Sequence, residues 1–297
     1  MITVMGATGH TGRKITEALL KTGENVLALG RSESKLEEIK NSGADVLLGD
    51  TTDSNILTKA FCGAEAVYTL LPTDRRSPDY QARQKQEGEA IVKAIHESGV
   101  KYVVFLSSLG ADLSKGTGLI EGLYAQEERF RRLVNIHVLL LRPASFFENF
   151  YDTFGLIKNQ GIIGDSIVPD RAIPMIATRD IANVATEALK SRDWKGVVVR
   201  ELLGPRDLTY AEATRIFGER IGKPNLTYVQ FSDADMARAL IEAGFSKSFA
   251  HLYVEMTRGF NNGNFKSSEG RNSENSTPIR FEDFVDELAD AFQAIDN

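Results

Sequence analysis

Gly6-Ala7-Thr8-Gly9-His10-Thr11-Gly12 sets a glycine at every third position, directly after the apolar start Met1-Ile2-Thr3-Val4-Met5. Ile15, Ala18 and Leu19 then recur at helical spacing, so a strand must turn sharply into a helix here. Glycine permits positive φ and a close approach of the backbone to a ligand. The N–H groups and positive dipole end of the new helix suit a pyrophosphate. Three spaced glycines alone would also fit an ordinary tight turn. Here Gly23 suits a helix end and Asn25-Val26-Leu27-Ala28-Leu29 a second strand, completing the strand-loop-helix-strand unit of a dinucleotide site. Gly6, Thr8, Gly9, His10, Thr11 and Gly12 are therefore candidate cofactor contacts.

Outward from this unit, strands and helices alternate. Asp45–Leu48, Ala66–Leu71, Tyr102–Leu106 and His137–Leu141 are short apolar runs, as expected of parallel strands covered on both faces. Ile91, Ala94 and Ile95 mark one intervening helix, and 119–133 can form another with a charged outer face. The pattern predicts an α/β fold: a doubly wound parallel-sheet Rossmann domain with a smaller α+β C-terminal substrate lobe. Asp180 can cap a further helix that packs back on the sheet through Ile181, Val184, Ala185, Ala188 and Leu189. We place the dinucleotide-binding domain at 1–150 with 176–195, and the smaller lobe at 151–175 and 196–297. In the latter, Thr209-Tyr210-Ala211-Glu212 reads as a capping box, Leu226–Val229 as a short strand, and helices start at Asp233 and near Phe249. Asn261–Thr277, rich in Asn, Gly and Ser, predicts a mobile loop before a last helix at Phe281–Phe292.

With 297 residues, 42% of them hydrophobic, the chain can bury a full core. Its net charge of −6 offers no general attraction for nucleic acid or an anionic membrane. No apolar stretch approaches the roughly 20 residues needed to span a bilayer. Cys62 is the only cysteine, which excludes an internal disulfide and a cysteine metal cluster, and a reducing cytoplasm is the expected location. His96, His137 and His251 are isolated and form no metal-spaced set.

The residue after the second strand discriminates between nicotinamide cofactors. An Asp or Glu there accepts from a ribose 2′-hydroxyl, whereas an arginine pairs with a 2′-phosphate. The chain has Arg31, followed by Ser32 and Lys35, which favours NADP(H). Asp50 is a candidate adenine contact, or with Thr51 a cap for the next helix. Leu71, closing the fourth run, completes the candidate cofactor set.

The glycine loop with Gly30-Arg31-Ser32, Gly49-Asp50, Ser107-Ser108-Leu109-Gly110-Ala111-Asp112 and Arg142-Pro143 through Glu148-Asn149-Phe150 resembles the NmrA-like family, an atypical branch of the short-chain dehydrogenase/reductases. Pro174-Met175-Ile176-Ala177-Thr178-Arg179-Asp180-Ile181-Ala182 continues the resemblance over nearly the whole chain. It implies NADP(H) binding and one of two roles: a reductase similar to NADPH-dependent quinone oxidoreductases, or a dinucleotide-sensing regulator acting through a protein partner.

The wider superfamily uses a Tyr with a Lys four residues later and a Ser after the fifth strand. The matching segment here is Tyr124-Ala125-Gln126-Glu127-Glu128, so a carboxylate replaces the lysine. Tyr124 and Ser107 are the candidate catalytic residues, each also readable as a packing or strand-closing group. The missing pair argues against nucleotide-sugar epimerisation and toward an electron-poor quinone, enone or dye, which spreads charge over its own π system. Phe146, Phe147 and Tyr151 are candidate walls of a flat pocket, or simply contacts between lobes, and Asn149 is a candidate substrate or nicotinamide contact. The run Glu127–Arg132 reads as a solvated helix face with local ion pairs.

Overall fold

The computed structural model describes residues 1–296. In chain order the first elements are β1 (Ile2–Met5), α1 (His10–Lys21), β2 (Val26–Gly30), α2 (Glu33–Asn41), β3 (Asp45–Leu48), α3 (Ser54–Phe61), β4 (Ala66–Leu70), α4 (Tyr80–Ser98), β5 (Tyr102–Leu106), α5 (Glu121–Arg131) and β6 (His137–Pro143). There follow β7 (Ser145–Phe146), α6 (Phe154–Gln160), β8 (Ile162–Asp165), β9 (Ile173–Ile176), α7 (Thr178–Ser191) and β10 (Val197–Leu202). The remainder is β11 (Asp207–Leu208), α8 (Tyr210–Arg220), β12 (Thr227–Gln230), α9 (Asp233–Glu242), α10 (Lys247–Asn261) and α11 (Phe281–Asp296).

Seven parallel strands form the main sheet in the order β3-β2-β1-β4-β5-β6-β10. Each apolar run divides its side chains between two faces, as the two-residue period of a strand requires. Ile2, Val4, Tyr68, Val104, Leu139 and Leu141 pack with α1, α2 and α7. Met5, Val67, Val103, Phe105, Val138 and Leu140 face α3, α4 and α5. The predicted doubly wound sheet is thus the observed one.

The seventh strand lies in a segment that the sequence assigns to the second lobe. Val197-Val198-Val199-Arg200-Glu201-Leu202 runs alongside β6 as an edge strand, with Val198 and Val199 partly in solvent. A second correction concerns α7. Its first N–H group, that of Thr178, is bound by the buried carboxylate of Glu148 at 3.0 and 3.1 Å, while Asp180 instead accepts from the Ile279 N–H at 3.1 Å. The helix cap is therefore supplied across the fold, and Asp180 ties α7 to the segment leading into α11.

Outside the main sheet, β7, β9 and β11 form one small sheet and β8 pairs with β12 in parallel. Phe147, Phe150, Phe154, Phe217, Phe281 and Phe284 gather between these strands and α6, α8 and α11. The capping box is half made: Thr209 accepts from the Glu212 N–H at 3.0 Å, but the Glu212 carboxylate goes to Arg206. Asn261–Thr277 is irregular yet tied down, which departs from the expected mobile loop. Phe265 packs edge-on to Phe260, Glu201 accepts from the Ser268 N–H and hydroxyl, and the Leu203 N–H donates to the Asn275 carbonyl.

Candidate functional site

The glycine loop sits where successive connections leave β1 on opposite sides, β2 on one and β4 on the other, which is the position at which such sheets bind ligands. Gly6 has φ of 68°, and a Cβ there would meet Leu70 Cδ2 at 2.8 Å. A Cβ on Gly12 would stand 2.3 Å from the Gly6 carbonyl oxygen, so α1 packs directly on the loop backbone. Gly9 donates to the Gly6 carbonyl and accepts from the Arg13 N–H, each at 3.0 Å. The N–H groups of His10, Thr11 and Gly12 have no acceptor among the described residues. A Cβ on Gly9 would meet only the Gly6 oxygen, at 3.4 Å, so that flank of the loop is open. Unpaired donors at a helix start beside an open glycine flank fit a pyrophosphate.

The other loop and strand-end residues divide into exposed and engaged groups. Arg31 and Lys35 are exposed at the end of β2 and the start of α2. Thr8 packs under Gly30, and Thr11 accepts from the buried Tyr68 hydroxyl at 3.0 Å. The His10 ring turns away and stacks on Tyr151 at 5.9 Å, joining the loop to the second lobe. Asp50 is held by the Arg83 guanidinium at 2.9 Å and by the Thr52 N–H and hydroxyl. The cap of α3 is Asp53, bonded to the Asn55 and Ile56 N–H groups, and not Asp50 with Thr51. Burial alone would push the Asp50 carboxyl up, but the Thr52 bonds and Arg83 outweigh it and lower it to about 2.

A cavity of about 640 Å³ opens along the C-terminal ends of β4, β5 and β6 and runs into the second lobe. Leu71, Ser107, Phe146 and Asn149 line it, so these sequence candidates converge. Phe147 does not join them: at 0% exposure it packs against Phe281 and Phe284 in the second core. Tyr151 also lies outside the lining, between His10, Phe154 and Phe284. Phe147 is thus a core residue of the second lobe, and Tyr151 is a contact between lobes.

Tyr124 is absent from the lining as well; its helix presents Leu123 to the cavity instead. Glu128 points outward, 39% exposed, and pairs with Arg131 at 3.3 Å. Its neighbour Glu127 is not on a solvated face as expected. Only 1% exposed, it receives the Ser107 hydroxyl at 2.6 Å and a two-point contact from Arg142 at 2.9 and 2.6 Å. The buried arginine neutralises the buried carboxylate, and Ser107 is oriented by it.

Most of the apolar lining comes from residues that sequence reading did not single out. Phe231, Met236, Phe245, Phe249 and Met256 descend from α9, α10 and their flanks. Arg75, bound to Asp152 at 3.0 and 2.7 Å, lies over the Phe245 ring at 5.4 Å. Asp165, at the end of β8, reaches the same cavity at 8% exposure and accepts from the Tyr253 hydroxyl at 2.5 Å. No local motif marks either residue, because their contact joins β8 to α10 across the second lobe.

Parallel sheet, glycine loop and adjoining cavity together define a Rossmann-type α/β protein. A model of the NmrA-like family matches residues 1–285, and the chain belongs to that family. It is 26% identical to quinone oxidoreductase 2 of Escherichia coli over 268 residues, 89% of each chain. The crystal structure of that NADPH-dependent enzyme complexed with NADPH superposes with a TM-score of 0.81 at 24% identity, covering 97% of this chain and 99% of the other. Triphenylmethane reductase from Citrobacter sp. has the same fold, with a TM-score of 0.80 at 22% identity and the same coverages. Among the described residues no helix is long and apolar enough to cross a membrane, and no cluster of metal-ligating side chains occurs.

Proposed function

We propose that the protein is a reductase that binds NADPH and passes hydride to a quinone, enone or similar conjugated acceptor. The observation that carries this is the continuity of the glycine loop, through Leu70 and Leu71, with a cavity walled mainly by aromatic and aliphatic side chains. When bound, the nicotinamide supplies the hydride. The loop N–H groups hold the pyrophosphate, and Arg31 with Lys35 takes the 2′-phosphate. Leu71, Phe146 and Phe249 exclude water and hold a flat acceptor. Asn149, whose amide only weakly contacts Ser145 at 3.4 Å, is free to orient a polar edge of either ligand. Such an acceptor spreads the incoming charge over its own π system, so the absence of a Tyr-Lys pair is tolerable. The names of the sequence relative and of the structural neighbours support the same class of chemistry.

The test is calorimetric titration of NADPH and NADH into the parent and Arg31→Ala proteins, repeated with 1,4-naphthoquinone. Preference for NADPH that Arg31→Ala removes is expected; equal affinity of the parent for both cofactors would refute the 2′-phosphate assignment. A second reading, a non-catalytic NADP(H) sensor acting through a protein partner, is favoured by the position of Tyr124 outside the cavity. It requires tight nucleotide binding, nucleotide-dependent capture of a partner and no turnover.

A further inference from the structure

Asp165 is a buried carboxyl with no cation in ion-pair reach among the described residues. Around it stand Tyr210 of α8, Tyr228 of β12 and Tyr253 of α10, and Arg75, the cation lining the same cavity, is already taken by Asp152. Its carboxyl accepts from the Tyr253 hydroxyl at 2.5 Å, from the Ile167 N–H at 3.3 Å and from the Ser166 N–H. An isolated carboxylate in such surroundings is costly, which favours the protonated form. Burial pushes the Asp165 carboxyl up, and the Tyr253 and backbone bonds only partly oppose this.

We propose that Asp165 and Tyr253 are the proton-delivering pair for the acceptor, Asp165 holding a proton in the resting protein and Tyr253 presenting its hydroxyl hydrogen to the acceptor oxygen. With Asp165 protonated, the short bond runs from carboxyl to phenol oxygen, which frees the phenol hydrogen to face the cavity. The role rests on the reductase function proposed above, with NADPH as the hydride donor. As hydride bonds to the acceptor, an electron pair moves onto its oxygen. The Tyr253 O–H bond breaks as the new O–H bond forms, and the Asp165 proton passes to the phenol oxygen. The carboxylate left behind takes a proton from water when product leaves. One hydride and one proton thus convert a quinone to a hydroquinone, or an enone to its enol. The pair replaces, from the opposite lobe, the Tyr-Lys arrangement that α5 lacks.

The alternative is that Asp165 merely anchors α10 to β8. Infrared difference spectroscopy separates the two on the full chain without cofactor, using 9-fluorenone as an inert flat carbonyl. At neutral pH we expect a protonated-carboxyl band that Asp165→Asn lacks, that Tyr253→Phe retains at a shifted position, and that moves when fluorenone binds. Absence of the band, or a band indifferent to bound fluorenone, overturns the proposal. In turnover with NADPH and naphthoquinone, each variant should lose about 100-fold or more in kcat. If the parent turns over no acceptor, the reductase function fails while the infrared result still decides whether Asp165 is a ligand-facing acid.

Discussion

The Ser107 hydroxyl donates to Glu127 Oε1 at 2.6 Å, and Glu127 is clamped in turn by Arg142. Its single proton is therefore committed away from the cavity, and Ser107 offers a ligand only lone pairs. It is an acceptor, suited to an amide or hydroxyl donor, and a poor acid. Ser107→Ala should reduce kcat by less than tenfold while costing about 1.5–3 kcal/mol of stability for the lost bond to a charged group. Glu127→Ala, which strands the Arg142 guanidinium in the interior, should cost about 3–5 kcal/mol. Denaturant unfolding and steady-state kinetics check both; a drop of hundreds of fold in kcat for Ser107→Ala would make Ser107 the acid.

Gly12→Ala drives a methyl toward the Gly6 carbonyl, 2.3 Å from its ideal position, where the only relief is movement of the loop. We expect a destabilisation of about 1–3 kcal/mol together with loss of detectable NADPH binding by calorimetry. Gly23→Ala meets no atom within 4 Å but has φ of 82°, so it should lose some stability and keep the cofactor. Unaltered NADPH affinity in Gly12→Ala would remove the loop from the cofactor site.

The bonds that hold the Asp50 carboxylate, from the Thr52 N–H and hydroxyl and then from Arg83, give a pH-dependent contribution to stability. The folded carboxyl, at about 2, lies below the unfolded value of about 3.9. Its stabilisation is therefore fully present above the unfolded value and is lost as the pH falls toward 2. Because the Asp50 side chain is 46% exposed, solvent screening holds the effect to about 1 kcal/mol or less. Asp50→Asn should narrow its stability gap to the parent between pH 5 and pH 2 in urea titrations; a gap that widens with acid would contradict these bonds.

Sequence showed the parts of the fold whose signal is local. The strand runs, the glycine loop and the helix starts at Thr209 and Asp233 were legible because each rests on neighbours a few residues away. What it concealed depends on distant partners. Glu127 reads as surface charge until Arg142, on β6, is seen to meet it, and Asp180 reads as a cap until Glu148 takes that role. Phe147 and Phe146 are adjacent and chemically alike, yet only Phe146 lines the cavity, because the chain turns between them. The Asp165–Tyr253 contact joins residues 88 positions apart, beyond the reach of any periodicity.

The stretch 261–277 differs from its composition in the same way. Arg271 reaches the Leu203 carbonyl at 2.8 Å and also contacts the Gly204 carbonyl and Asp207, and Phe265 is buried. Limited proteolysis should leave this segment intact with or without NADP, and Arg271→Ala should open it to cleavage. Cleavage of the parent there that NADP abolishes would favour the sensor function instead.

The most direct test is acceptor-dependent loss of NADPH absorbance by purified protein across a panel of quinones, enones and triphenylmethane dyes, with NADH run in parallel. Turnover of at least one conjugated acceptor with NADPH, and much slower turnover with NADH, is the predicted result. Firm NADPH binding without acceptor-dependent oxidation anywhere in the panel would contradict hydride transfer as the function of this cavity.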